Sequence, residues 1–77
     1  MKHKWVNRQK QIVGDYQWVI YKDEKDKLWY WYKQRAKGSG ETLGKSHKGF
    51  SSKQQCIYNA TIPSLVNSHN WESMPDL

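Results

Sequence analysis

Two aromatic runs flanking a charged one constrain this chain more than any other feature. "YQWVIYK" starts at Tyr16 and "LWYWYKQR" at Leu28, with the polar hexapeptide Lys22-Asp23-Glu24-Lys25-Asp26-Lys27 joining them. Aromatic and β-branched residues suit a pleated, half-buried surface, so the pattern predicts an antiparallel hairpin with a solvated loop. Successive side chains of a strand point to opposite faces, and therefore Trp29-Tyr30-Trp31-Tyr32 must furnish both. One face can serve a core. The other has to meet something else.

A loop closed symmetrically sets Ile20 opposite Trp29, Trp18 opposite Trp31, Val19 opposite Tyr30 and Tyr21 opposite Leu28. A second break at Lys37-Gly38-Ser39-Gly40-Glu41 supplies turn glycines, and "TLGKSHKGF" reads as a shorter third strand. Closing that turn about Ser39 puts Leu43 on the face of Trp29 and Trp31, and Ser46 and Lys48 on the face of Tyr30 and Tyr32. Beyond Phe50 the pattern changes: Ser51 or Ser52 offers an N-cap, Gln54 or Gln55 stands three residues on, and Cys56, Ile57 and Ala60 recur at helical spacing. Pro63 disfavours helical geometry at Ile62 and stops or kinks the helix there, with "SLVNSHNW" able to add a turn. The expected fold is α+β: a three-stranded antiparallel sheet packed on its Trp18, Ile20, Trp29, Trp31, Leu43 face by a single C-terminal helix. The expected organisation is a basic arm over 1–15, the β-β-β-α domain over 16–66 and a poorly ordered tail over 67–77.

The chain has 77 residues, and one this short buries only about 60% of its unfolded surface, which leaves a lean core. Its single cysteine, Cys56, cannot form an internal disulfide and reads as a small buried hydrophobe. The expected setting is reducing and cytoplasmic, with no membrane span or signal peptide. His3, His47 and His69 are scattered, so no catalytic or metal constellation is visible and no cofactor is expected. Asp23, Glu24 and Asp26 are interleaved with Lys22, Lys25 and Lys27, which suits a solvated turn better than a calcium loop. The expectation is a protein that is not an enzyme.

Charge points to a partner instead. Thirteen Lys+Arg against seven Asp+Glu give a formal net charge of +6. Lys2, Lys4, Arg8 and Lys10 meet no acid in the arm, and from Lys33 to Lys53 there are six bases and one acid, Glu41. Such a field draws nucleic acid, acidic lipid or an acidic protein. Aromatics interleaved with bases suit single strands, whose bases stack on rings while phosphates meet cations. The candidate binding set is Tyr30, Tyr32, Lys33, Arg35, Lys37, Lys45 and Lys48. Val19, Tyr21 and Leu28 form the rest of that second face, to be met by a homodimer mate or covered by Trp5, Val6, Ile12 and Val13 of the arm. The alternative function is a protein-interaction module or an inhibitor of a host or regulatory protein, encoded by a phage or mobile element.

Ile20-Tyr21-Lys22-Asp23, Trp31, Ser46, Gly49-Phe50-Ser51-Ser52-Lys53 and Cys56 resemble the pattern of the YegP-like family of small bacterial and archaeal domains over residues 16–62. That pattern runs from an aromatic-x-Ile-Tyr strand through a charged turn and an aromatic-x-Trp strand to Ser-x-Gly-Tyr/Phe-Ser-Ser/Thr-Lys before a helix. Lys33 departs from it, standing where an apolar residue is usual, and the Gly-Ser-Gly turn is longer. The resemblance implies a β-β-β-α unit used in tandem or as paired subunits, and implies no activity. A lesser similarity, in element order and turn placement, is to the three-stranded, one-helix DNA-binding domains of the plant AP2 type and of integrase arms, whose Gly-x-Tyr-x-Ala-Arg strand is missing here.

Overall fold

A computed structural model describes residues 4–38, 40–62 and 71–75. Strands β1 (Trp5–Val13), β2 (Tyr16–Asp23), β3 (Trp29–Arg35) and β4 (Thr42–Lys45) form an antiparallel meander. Helix α1 (Lys53–Ala60) follows, and the two-residue strand β5 (Glu72–Ser73) returns to pair antiparallel with β1. The sheet order is β4-β3-β2-β1-β5. Among the described residues the sheet thus has five strands where three were expected, and both additions come from segments read as arm and tail. Among the described residues no helix is long and apolar enough to cross a membrane.

β1 forms because Gly14-Asp15 closes a two-residue hairpin: Val13 pairs with Tyr16, and Gly14 takes a φ of 61° at the position where a type II′ turn needs glycine. The ladder slips between Val6 and Gln9, where Asn7 adopts a φ of 54°. Asn tolerates that left-handed geometry better than most residues, and the bulge brings Trp5 back into alternation with β2.

The central hairpin keeps its predicted faces but not its predicted register. Ile20, not Trp18, stands opposite Trp31; Trp18 faces Lys33, Val19 faces Tyr32 and Tyr21 faces Tyr30. The loop is tighter than a symmetrical hexapeptide. Asp23 N–H donates to the Leu28 carbonyl, the Asp23 carboxylate accepts from Lys25 N–H, and Lys27 turns the chain with a φ of 64°. A two-residue slip preserves parity, so Trp18, Ile20 and Trp31 still share a face.

The next turn slips by one residue, which inverts parity. Lys45 stands opposite Tyr32 and Gly44 opposite Lys33, while Ser46 N–H donates to the Trp31 carbonyl at 2.9 Å. Ser46 is therefore on the tryptophan face, not with the tyrosines as expected. Leu43 falls in an irregularity between the Lys33 and Gln34 pairs and is 40% exposed, outside the core it was expected to join.

α1 begins where the serines predicted. Ser52 is the N-cap, its hydroxyl accepting from Gln55 N–H at 3.1 Å. Thr61 ends the helix in the left-handed region, with its N–H reaching the Tyr58 carbonyl, and the turn sends Ile62 into the core. The helix lies on the tryptophan face. Trp18, Ala60 and Ile62 form the buried cluster, with Val13, Trp31, Ile57 and Trp71 packed around it. Two polar links cross the layers: Trp31 Nε1–H donates to Asn59 Oδ1 at 2.9 Å, and Lys53 Nζ donates to Gln9 Oε1 at 2.8 Å. The extra turn anticipated in "SLVNSHNW" lies, apart from Trp71, outside the described residues.

Candidate nucleic-acid interface

The sheet face turned away from α1 is built from alternate residues of four strands. Pairing across the sheet places Lys10 opposite Val19, Val19 opposite Tyr32 and Tyr32 opposite Lys45. Directly paired residues share a face, so this row runs from cation through aromatic to cation, with the Glu72 carboxylate of β5 standing next beyond Lys10. Val19 in its middle is fully buried.

Beside the row stands a ladder of rings. Trp5 stacks on Tyr21 with centroids 4.4 Å apart and planes 24° from parallel, and Tyr21 stacks on Tyr30 at 5.7 Å and 17°. Tyr32 leans against both Trp5 and Tyr21 at 6.5 and 6.0 Å, tilted by 46° and 53°. These separations are those of favourable aromatic pairs, so the ladder is a cohesive unit. Trp5 covers Tyr21 from β1. Of the arm residues expected to cover this face, Trp5 does so, whereas Val13 packs on the opposite side against the Trp18, Ala60 and Ile62 cluster.

Tyr30 is engaged on both sides. Its hydroxyl donates to the Asp26 carboxylate, and a β-carbon placed on Gly49 would lie 2.9 Å from its ring. That hydrogen bond to Asp26, aided by desolvation, pushes the Tyr30 phenol up to about 12. Burial, with the neighbouring Tyr32 second, does the same for Tyr21, also to about 12. Both phenols stay neutral at ordinary pH. Leu28, half-buried, lies against Gly49.

The open part of the face is a depression of about 370 Å³ bounded by Trp5, Tyr21, Tyr32, Gln34, Thr42 and Lys45. Aromatic walls with a few polar groups are the usual makeup of a site for a flat organic group. Arg8 lies on the same side: its Nη2 donates to the Tyr32 hydroxyl at 3.4 Å and its Nη1 to the Pro75 carbonyl at 2.9 Å.

The anticipated binding residues separate into groups. Tyr32 and Lys45 come together, with Tyr30 in the adjoining ladder. Lys33 goes to the opposite face, its ammonium 4.3 Å from the Tyr16 ring centroid and 5.1 Å from that of Trp18. There it makes the cation–π contacts that let a lysine stand in an apolar position. Arg35, paired with Tyr16, and Lys37 are exposed near Gly14 and Asp15. Lys48 sits beyond β4, 5.6 Å from the Phe50 ring centroid. Sequence reasoning counted Arg8 and Lys10 only as parts of a basic arm able to hold phosphates, not as strand residues of this face, and missed Gln34 and Thr42 altogether. For the first two, the signal was the Gly14-Asp15 turn, which makes the preceding segment a strand and fixes its alternation.

No family model matches the chain, no curated protein matches it and no solved structure matches it. These findings bear on neither the YegP-like nor the AP2-type resemblance.

Proposed function

We propose that the protein binds single-stranded nucleic acid on the open sheet face. Tyr32 and the depression beside it take a base, while Lys10, Lys45 and Arg8 hold phosphates. The observation that carries this reading is the row Lys10, Val19, Tyr32, Lys45, which sets a ring between two cations. Stacking tolerates any base, and cations at either end follow a backbone passing over the ring. The reading moves the cationic contribution from Lys33, Arg35 and Lys37 to β1 and the end of β4. A homodimer on this face has less to bury than expected, because Val19 is already covered and Trp5 occupies Tyr21.

The test is a titration of a labelled oligonucleotide over a salt series. Three phosphate contacts imply a log–log slope near −2, at about −0.7 per phosphate of a single strand. Tyr32→Ala should weaken binding by about 1–3 kcal/mol and leave the slope in place, because stacking releases no counterions. Lys45→Gln should flatten the slope. If no oligonucleotide binds at low salt, the reading fails, and an acidic protein becomes the partner for the same cations.

A further inference from the structure

The row Lys10, Val19, Tyr32, Lys45 has unlike ends. Past Lys10 the ladder continues to Glu72, whose side chain shares the open face with it. The neighbours of Glu72 agree with that placement. Trp71 packs into the core cluster, and Ser73 pairs with Gln9, whose amide meets Lys53 of α1, so the residue between them belongs to the other face. β5 is also pinned on both sides of Glu72, by Trp71 in the core and by Met74 N–H, which donates to the Arg8 carbonyl at 2.8 Å. Glu72 itself is exposed.

At the spacing of adjacent strands Glu72 stands about 5 Å from Lys10, inside the screening length of about 8 Å at physiological salt. A phosphate carried past Lys10 therefore meets a negative charge. Arg8, the other cation beside β5, directs its guanidinium to the Tyr32 hydroxyl and the Pro75 carbonyl. The β4 end is open by comparison. Lys48, three residues beyond Lys45, is exposed, and Glu41, the one acid between Lys33 and Lys53, is four residues from Lys45, about 13 Å along the strand and largely screened.

We infer that Glu72 is a specificity-determining residue of this face: it closes the binding track at β5. A single strand of nucleic acid then lies from Lys10 over Tyr32 to Lys45, continues outward over the β4 edge and is turned away beyond Lys10. The inference rests on the nucleic-acid reading and deepens it, because it sets the length of strand the face accepts and the side on which the rest leaves.

The experiment titrates oligo(dT) of increasing length against the full chain and finds the length at which affinity stops rising. Glu72→Lys and Glu72→Gln should both move that plateau to longer oligonucleotides. In Glu72→Lys the salt slope of the longer oligonucleotides should steepen from about −2 to about −2.8, the difference being one more phosphate contact. Glu24→Lys is the control. It makes the same change in net charge at an exposed position five residues past Val19, about 17 Å from the row, and should leave the plateau where it is. Glu72→Gln sets no like charge against Lys10, so it reads the plateau even if the lysine variant loosens β5. An unmoved plateau in both Glu72 variants overturns the inference. So does an equal gain at every length, which would make Glu72 only a competitor for Lys10, or a shift as large in Glu24→Lys, which would make total charge the cause. Each of these leaves the face reading intact. Wild-type protein that binds no oligo(dT) of any length overturns both readings.

Discussion

Gly49 runs so close beneath Tyr30 that a β-carbon on it would sit 2.9 Å from the ring's Cζ and 2.6 Å from Leu28 Cβ. Glycine is required here by space and not by an unusual φ. The Trp29–Phe50 bridge, with N–H···O distances of 2.7 and 2.8 Å, fixes the backbone on the adjoining residue and prevents retreat. Gly49→Ala should therefore cost about 1–3 kcal/mol, as overpacking does, measured by denaturant unfolding. An unchanged midpoint would mean the loop yields freely.

The tryptophans on the helix-covered face should respond unequally. Trp18 is 3% exposed at the centre of the core, so Trp18→Ala should cost about 3–5 kcal/mol, enough to unfold a domain of this size. Trp31→Phe keeps a ring and gives up the hydrogen bond to Asn59, which is exposed and can turn to water, so it should cost only about 1 kcal/mol. Equal losses from both would show that the layer link through Asn59 matters as much as the core.

Alkaline stability follows from the two raised phenols. A tyrosine held at about 12 in the folded state, against an ordinary 10, keeps its proton where the unfolded chain has lost it. The unfolded state then binds fewer protons, so stability is full below pH 10 and falls between pH 10 and 12. Tyr30→Phe should flatten that fall, and absorbance titration of the variant should lack one late-ionising phenol. A stability curve that stays level from pH 10 to 12 would contradict the Asp26 contact.

Cys56 should be silent until the fold opens. It is fully buried, and burial raises its thiol to about 12, so almost no thiolate is present at pH 8. A thiol reagent should modify it only at the rate of unfolding and to completion in denaturant. Rapid labelling of native protein would mean that α1 detaches readily from the sheet.

What the sequence disclosed was the part governed by local alternation and by the cap. Trp18, Ile20 and Trp31 fall on one face in any register that differs by two, so the slip caused by Asp23 and Lys27 left the core legible. The β4 turn gave no such protection. A shift of one residue exchanged Lys45 for Ser46 beside the tyrosines, and only turn geometry decides that. β1 was hidden by its charges, since Arg8 and Lys10 on one side and Gln9 and Gln11 on the other mask the apolar alternation. β5 is two residues long and pairs across almost the whole chain, and no periodicity can announce so short a strand. The ladder followed from β1 and was lost with it, although Tyr21, Tyr30 and Tyr32 were each in view.

The pairing of Lys10 with Glu72 also bears on how the molecule is made. The four strands of the meander are joined by short turns and can assemble in order as the chain leaves the ribosome. The fifth cannot. Until residues 72–73 emerge, β1 is an open edge with Ile12, half-exposed even in the finished fold, on its flank. An edge of that kind recruits other strands. β5 is made after the whole meander and closes off β1, and the interval between them is a period in which a nascent chain of this protein is exposed to pairing with a neighbour.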